Sequence, residues 1–306
     1  MAKNFELTRN EIIRSAFENC RAAIDGEELS AENLQKGART LNTLLRFWQA
    51  QGFHLWKLPE AWLFTTIGEA KYMLGENGAL ASDEIKTATT ANAYQTGDNL
   101  IQLNGELPKA GDYICIITTS GKIFKTTTQS VAGSSVTLTD ELLEDVNKDA
   151  NVYHFTNLLS RPLKITQARR YIVGGSEIEM QYLENEEYFA LPQKDQRGTP
   201  VCYSYVPTLD KGTLYLWNTP SENNIIIKFT YEKEFDILQN SKDVPDVADE
   251  WIEPLIWELS YRLSAFLGLD LNEREWLKVQ AKESLEMAKC FDNEVGGFQL
   301  VPDFRG

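Results

Sequence analysis

The sequence predicts an α+β fold: an antiparallel helical bundle from the N- and C-terminal segments, a mixed β segment, and an inserted small all-β domain. Three observations predict it. Apolar residues recur at helical spacing before residue 50 and again after residue 249. Between 76 and 156 that period vanishes, threonine and glycine rise, and short alternating runs appear. From 157 to 243 extended runs rich in β-branched and aromatic residues alternate with turn residues.

The N-terminal quarter opens with Thr8 and Glu11, a capping-box pattern, followed by Ile12, Ile13, Ala16, Phe17, Cys20 and Ile24 on one face. Asp25-Gly26 closes that helix. Ser30 caps a second, whose stripe is Leu34, Ala38, Leu41, Leu44, Leu45 and Trp48, and Gly52 ends it. A short loop between two such helices predicts an antiparallel pair within a helical part spanning 1–75. The rings Phe47, Trp48, Phe53, Trp56 and Trp62 cluster where this pair meets the next segment.

The insert, 76–156, carries YICIITT, KIFKTTT and SVTLT, the first two joined at Ser120-Gly121, a tight-turn signal. This predicts a small antiparallel barrel or sandwich that YHFT leaves. The mixed segment, 157–243, predicts strands at LKITQARRYIV, PVCYSYV, TLYLWN and NIIIKFTYE, with a short helix at ENEEYFAL. Over 244–292 two more helices are expected. Asp249 caps the first, Pro254 falls near its first turn, and Gly268 ends it. Asn272 with Glu275 resembles a capping box for the second. After Gly296-Gly297, residues 293–306 form an apolar-aromatic arm.

Charge separates function classes. With 45 acidic and 30 basic side chains the chain carries −15, which argues against tight binding along a nucleic-acid backbone. Between Asp243 and Glu294 there are 13 acidic and 5 basic residues, so the greasiest helices are also the most acidic. One arrangement satisfies both: an apolar side against neighbours and an acidic side toward a shared open space. The rings of the first C-terminal helix are not confined to one stripe, which points to oligomerisation. Trp251, Trp257 and Tyr261 are the candidate subunit-interface residues. Glu253, Glu258, Glu273, Glu283 and Glu286 are the candidate acidic face. Packing of the same rings against the N-terminal helices is the plainer alternative.

Catalytic signals are thin. His54 and His154 are the only histidines, so a Ser/His/Asp or Cys/His centre and a His-rich metal site are not expected. No cofactor is expected either. SGKIF lacks the first glycine and the Ser/Thr of a phosphate loop. The acidic run EIEMQYLENEE offers Glu177, Glu179, Glu186 and Glu187 as carboxylates for a glycosidase, or a solvated face. RPLKITQARR, with four basic residues, is either a contact patch or ordinary surface. Cys20, Cys115, Cys202 and Cys290 are widely spaced and read as free thiols in a reducing compartment; the polar start shows no secretory signal. No apolar stretch approaches the roughly 18 residues of a membrane span.

The order TLNTLLRFWQAQGFHLW, then RPLKITQARR, LENEEYFALPQKDQRGTPVCYSYV and GTLYLWNTPSENNIIIKFTY, then DVPDVADEWIEPLIWELSYRLSAFLG resembles the head-to-tail adaptor family of short-tailed phages, the tail tubular proteins A. The resemblance covers about 5–60 and 157–291. It implies a non-enzymatic virion protein at the head–tail junction, assembled in the host cytoplasm. Twelve copies would form a ring between portal protein and tail nozzle or tail fibre protein. Double-stranded DNA would pass through the ring without specific binding. It further implies that the terminal arm, through Phe298, Leu300, Val301 and Phe304, grips the portal. The alternatives from the residues alone are a cell-wall glycosidase of a phage tail and a polymer- or protein-binding module.

Overall fold

The computed structural model describes residues 7–22, 28–52, 58–235 and 237–292, the last two of them as backbone only. The chain opens with α1 (Arg9–Asn19) and α2 (Ala31–Ala50), followed by β1 (Glu60–Phe64), β2 (Lys71–Leu74) and β3 (Ala81–Ser82). Next come β4 (Lys86–Thr90), β5 (Leu100–Gly105), β6 (Tyr113–Ile117), β7 (Ile123–Ala132), β8 (Ser135–Leu138) and β9 (Asn151–Phe155). Beyond them lie β10 (Lys164–Ile172), β11 (Glu177–Glu179), β12 (Gln181–Tyr182) and the short α3 (Asn185–Ala190). Then come β13 (Arg197–Gly198), β14 (Cys202–Pro207), β15 (Gly212–Trp217), β16 (Thr219–Pro220) and β17 (Ile225–Glu232). Helices α4 (Asp249–Leu267) and α5 (Leu271–Asp292) are the last described elements.

The chain divides into a helical unit, Met1–Trp56 with Phe235–Gly306, and a β unit, Lys57–Glu234. The expected fold class is overturned. Strands dominate the described residues, and the middle of the chain forms a β unit holding a closed six-stranded barrel, not a helical bundle with a small β insert. The physical reason lies in 58–85 and 157–234. Their strands, several only two to five residues long, pair across large sequence separations and bury a core of their own.

In the β unit two sheets face each other, β11-β10-β17-β1-β3 and β12-β14-β15-β2. Leu63, Ile227 and Phe229 from one meet Tyr72, Tyr203, Leu214 and Leu216 from the other. Strand β17 is buried on both faces over much of its length, which explains its near-continuous apolar run. Ile227, Phe229 and Tyr231 enter the inter-sheet core, while Ile226 joins Phe64 against the barrel residues Cys115, Ile123, Tyr153 and Phe155.

The barrel closes in the order β4-β5-β8-β7-β6-β9. Its strands β6 and β7 pair from Tyr113↔Thr127 to Ile117↔Ile123 across the Ser120-Gly121 turn, where Gly121 adopts φ +81°. The interior is filled by Ile101, Leu103, Ile114, Ile116, Val136, Leu138 and Val152, so closure removes sheet edges and leaves a packed core. The threonines of β7 split between the two sides of the strand. Thr126 and Thr128 are buried, whereas Thr127, like Lys125 before it, stays partly exposed.

In the helical unit Thr8 and Glu11 form the capping box, and Ser30 Oγ accepts from the Asn33 amide at 3.2 Å. Ile12, Ile13, Ala16 and Phe17 pack with Leu41, Leu44, Leu45 and Trp48 and with Leu255, Leu259 and Leu263 of α4. Ala248, not Asp249, holds the N-cap position of α4, and Asp249 lies in the first turn, where a carboxylate favours the exposed amides. Pro254 is buried inside the helix. Gly268 ends it in the left-handed region at φ +70°. Asp270 Oδ1, not Asn272, accepts the early α5 amide of Glu273 at 2.7 Å.

Candidate docking face on the C-terminal helices

Helix α5 packs against α4, and its buried residues Leu277, Ala281 and Ala288, spaced i, i+4 and i+11, form a single inward stripe. Trp276, Val279, Glu283 and Met287, spaced i, i+3, i+7 and i+11, form a second stripe on the outward side. Its apolar members are open to solvent: Trp276 is 53% exposed, Val279 46% and Met287 71%. A helix with apolar stripes on both sides has more oily surface than one neighbour covers.

Pro254 and Trp257 of α4 meet Met287 and Ala288 of α5 in a cleft of about 300 Å³ whose rim carries Glu250, Glu253 and Glu283. The Trp257 ring packs edge to face on Trp276, with centroids 5.6 Å apart and planes at 85°. Its indole Nε1 donates to Glu253 Oε1 at 3.4 Å. Lacking an amide hydrogen, Pro254 cannot donate to the Glu250 carbonyl one turn earlier, although α4 runs unbroken through it.

The five acids singled out in sequence do not act alike. Glu258 is half-buried and pairs with Arg262 at 3.0 Å, Glu273 pairs with Arg21 at 3.6 Å, and Glu286 lies 3.9 Å from Lys282. Only Glu253 and Glu283, joined by Glu250, present carboxylates with no basic partner among the described residues. The negative field of this face is therefore concentrated at the cleft.

Of the predicted interface rings, Trp251 is a correction. It is 1% exposed and packs edge to face on Trp48, with centroids 5.7 Å apart, inside the helical core. On a helix that is apolar around most of its circumference, spacing alone does not separate the inward ring from the outward ones. Trp257 and Tyr261 are half-buried. Trp276, Val279 and Met287 are not among the expected interface residues, although their helical spacing is readable. Phe298, Leu300, Val301 and Phe304 lie outside the described residues, as do His54, Phe53 and Trp56.

The other sequence candidates are accounted for within the β unit. Arg169 binds Glu60 and Glu177, Lys228 also binds Glu177, and Arg170 donates to the Pro200 carbonyl at 2.8 Å. Arg161 donates to the Thr208 carbonyl at 2.9 Å. The basic run is thus largely engaged within its own unit. Glu187 accepts the Glu184 amide at 3.1 Å as part of the α3 cap, while Glu186 is exposed. Lys122 and Ser120 of the SGKIF turn both bind Glu144, whose carboxyl they hold down at about 2. Cys20, Cys115 and Cys202 are buried free thiols, burial pushing Cys115 up to about 12, whereas Cys290 is exposed.

Among the described residues no group of His, Cys, Asp and Glu is placed to hold a metal ion, and no helix is long and apolar enough to cross a membrane. No protein-family model matches the chain, and no curated protein matches it in sequence.

Proposed function

We propose that this protein is a non-catalytic assembly subunit, a ring-forming adaptor that joins a phage portal to the tail and lines the passage for DNA. The observation that supports this reading is the outward stripe of α5, where Trp276, Val279 and Met287 stand exposed beside the unpaired Glu253 and Glu283. Apolar side chains at helical spacing on a solvent face gain free energy when a neighbouring surface covers them. Carboxylates left without cations keep a negative potential that repels DNA phosphates, so a duplex would slide past instead of adhering.

The acidic run supports the same reading from another side. Glycoside hydrolysis requires two carboxylates flanking one bond. Of Glu177, Glu179, Glu186 and Glu187, Glu177 is held by two cations, Glu187 serves a helix cap, and Glu179 lines a hollow in which none of the other three takes part.

The reading is tested by mixing the purified protein with rings of its cognate portal and recording mass and electron micrographs. The expected result is a stable ring-on-ring complex, weakened at least tenfold by changing Trp276 and Val279 together to Ser. A monomer that ignores the portal ring overturns the proposal.

A further inference from the structure

Strand β10 shifts its pairing at one place. The pairing with β17 shifts register between Ile165 and Gln167, and Thr166 and Gln167 are both exposed where one should be buried. Such a bulge turns an additional side chain outward, and bulges recur beside binding sites. Directly across, the chain leaves β11, the edge strand of one sheet, and enters β12, the edge strand of the other. Met180 sits at the crossing, buried, with its amide donating to the Ala168 carbonyl at 2.9 Å.

A hollow of about 400 Å³ opens at this crossing, a small-ligand volume. Thr166, Gln167, Glu179 and Gln181 supply its polar wall, and Met180 with the buried Tyr203 its floor. Tyr182 stands at its side, 44% exposed, held edge-on against Tyr203 with centroids 5.5 Å apart. Gln167 Nε2 donates to Glu179 Oε1 at 3.1 Å, which orients the amide and the carboxylate toward each other and leaves Gln167 Oε1 and Glu179 Oε2 as acceptors.

We infer that this hollow binds a neutral saccharide unit. Sugar hydroxyls each donate and accept: the amide nitrogens of Gln167 and Gln181 supply donors, while the Glu179 carboxylate, the amide oxygens and Thr166 Oγ1, whose proton goes to the Thr230 carbonyl at 3.0 Å, supply acceptors. The exposed Tyr182 ring offers an apolar face for the C–H side of a pyranose, and its packing on Tyr203 fixes the ring beforehand at small entropic cost. Among the described residues no cation lines the hollow, so an acidic sugar would meet Glu179 unscreened. With one carboxylate the hollow holds a glycan without cleaving it. The inference does not depend on the assembly role proposed above.

The intact protein is tested on an array of neutral oligosaccharides of glucose, galactose, mannose and N-acetylglucosamine, followed by calorimetry with the best binder. The expected result is a binder whose affinity falls about tenfold or more on Tyr182→Ala and on Gln167→Ala, and is kept by Tyr182→Phe. Thermal melting of each variant separates loss of the site from loss of the fold. An array with no signal above a heat-denatured blank overturns the inference. So does a binder indifferent to both substitutions, and release of new reducing ends overturns the assignment to binding alone.

Discussion

His154 and Asp112 face each other in the barrel with Nδ1 3.9 Å from Oδ2, too long for a hydrogen bond, and both side chains are buried. The other ring nitrogen, Nε2, donates to the Glu106 carbonyl at 3.0 Å, so the neutral ring turns its lone pair toward the carboxylate. Burial is the largest influence on His154 and pushes it below 6.5, outweighing the upward pull of the Glu106 carbonyl and of Asp112. The unfolded ring therefore takes a proton before the folded one, so stability is complete above the ordinary value and is lost as pH falls through it. Denaturant unfolding should show the native protein losing more stability than His154→Gln as pH falls from about 7.5 to about 5. Parallel curves for the two proteins would show that the ring titrates as it does in water.

Gly37 sits in the middle of α2, where alanine normally gains about 1 kcal/mol. Here a methyl carbon on Gly37 would lie 2.5 Å from Cγ2 of the fully buried Ile13 in α1. The close approach of the two helices therefore depends on the missing side chain. Gly37→Ala is expected to lower stability by about 1–2 kcal/mol, the overpacking outweighing the propensity gain, read as a fall in the urea midpoint at unchanged slope.

Lys125 ties barrel strand β7 to the end of β1. Its ammonium donates to the Phe64 carbonyl at 3.1 Å, to the Thr65 carbonyl, and to Thr66 Oγ1 at 3.2 Å. Burial pushes its pKa down, as expected for a cation held by neutral oxygens instead of a carboxylate. Lys125→Met keeps the stem and removes three donors, stranding carbonyls at a partly buried seam. A loss of about 1–3 kcal/mol in the unfolding free energy of the β unit is expected. Unchanged stability would mean that water replaces the ammonium without cost.

How much of this fold is legible in the sequence depends on the range of each signal. Local signals are legible: Thr8 with Glu11, Ser30 and Gly268 end their helices as the residue types suggest, and YICIITT, KIFKTTT and SVTLT fold as β6, β7 and β8. The class of the whole chain is not. Strands β3, β12, β13 and β16 have two residues each, too few to show a period, and β4 finds β9 across the whole barrel sequence. Asp249 has the residue type of a cap, yet Ala248 holds that position without a side-chain bond. The rings of α4 can be counted, but which of them turn inward cannot be read, because buried Leu255, Leu259 and Leu263 share the helix with half-buried Trp257 and Tyr261. The hollow beside Tyr182 is hidden for a different reason. It depends on a bulge at Thr166 and a sheet crossing at Met180, and neither leaves a mark in the local pattern.

Trp251 and Trp276 separate core from docking face. Trp251 is sealed against Trp48 among Leu255, Leu259 and Phe17, so Trp251→Ala opens a cavity and should destabilise the helical unit by about 3–5 kcal/mol. Trp276 keeps half its surface in water and contacts Trp257 only at an edge. Its loss should cost about 1 kcal/mol of stability while removing the largest ring from the outward stripe. Two measurements on both variants suffice: unfolding in denaturant, and sedimentation of the protein with portal rings. Trp276→Ala is expected to fold and fail to assemble. Should it assemble as tightly as the native chain, the outward stripe of α5 is ordinary surface, and the proposed assembly contacts lie elsewhere.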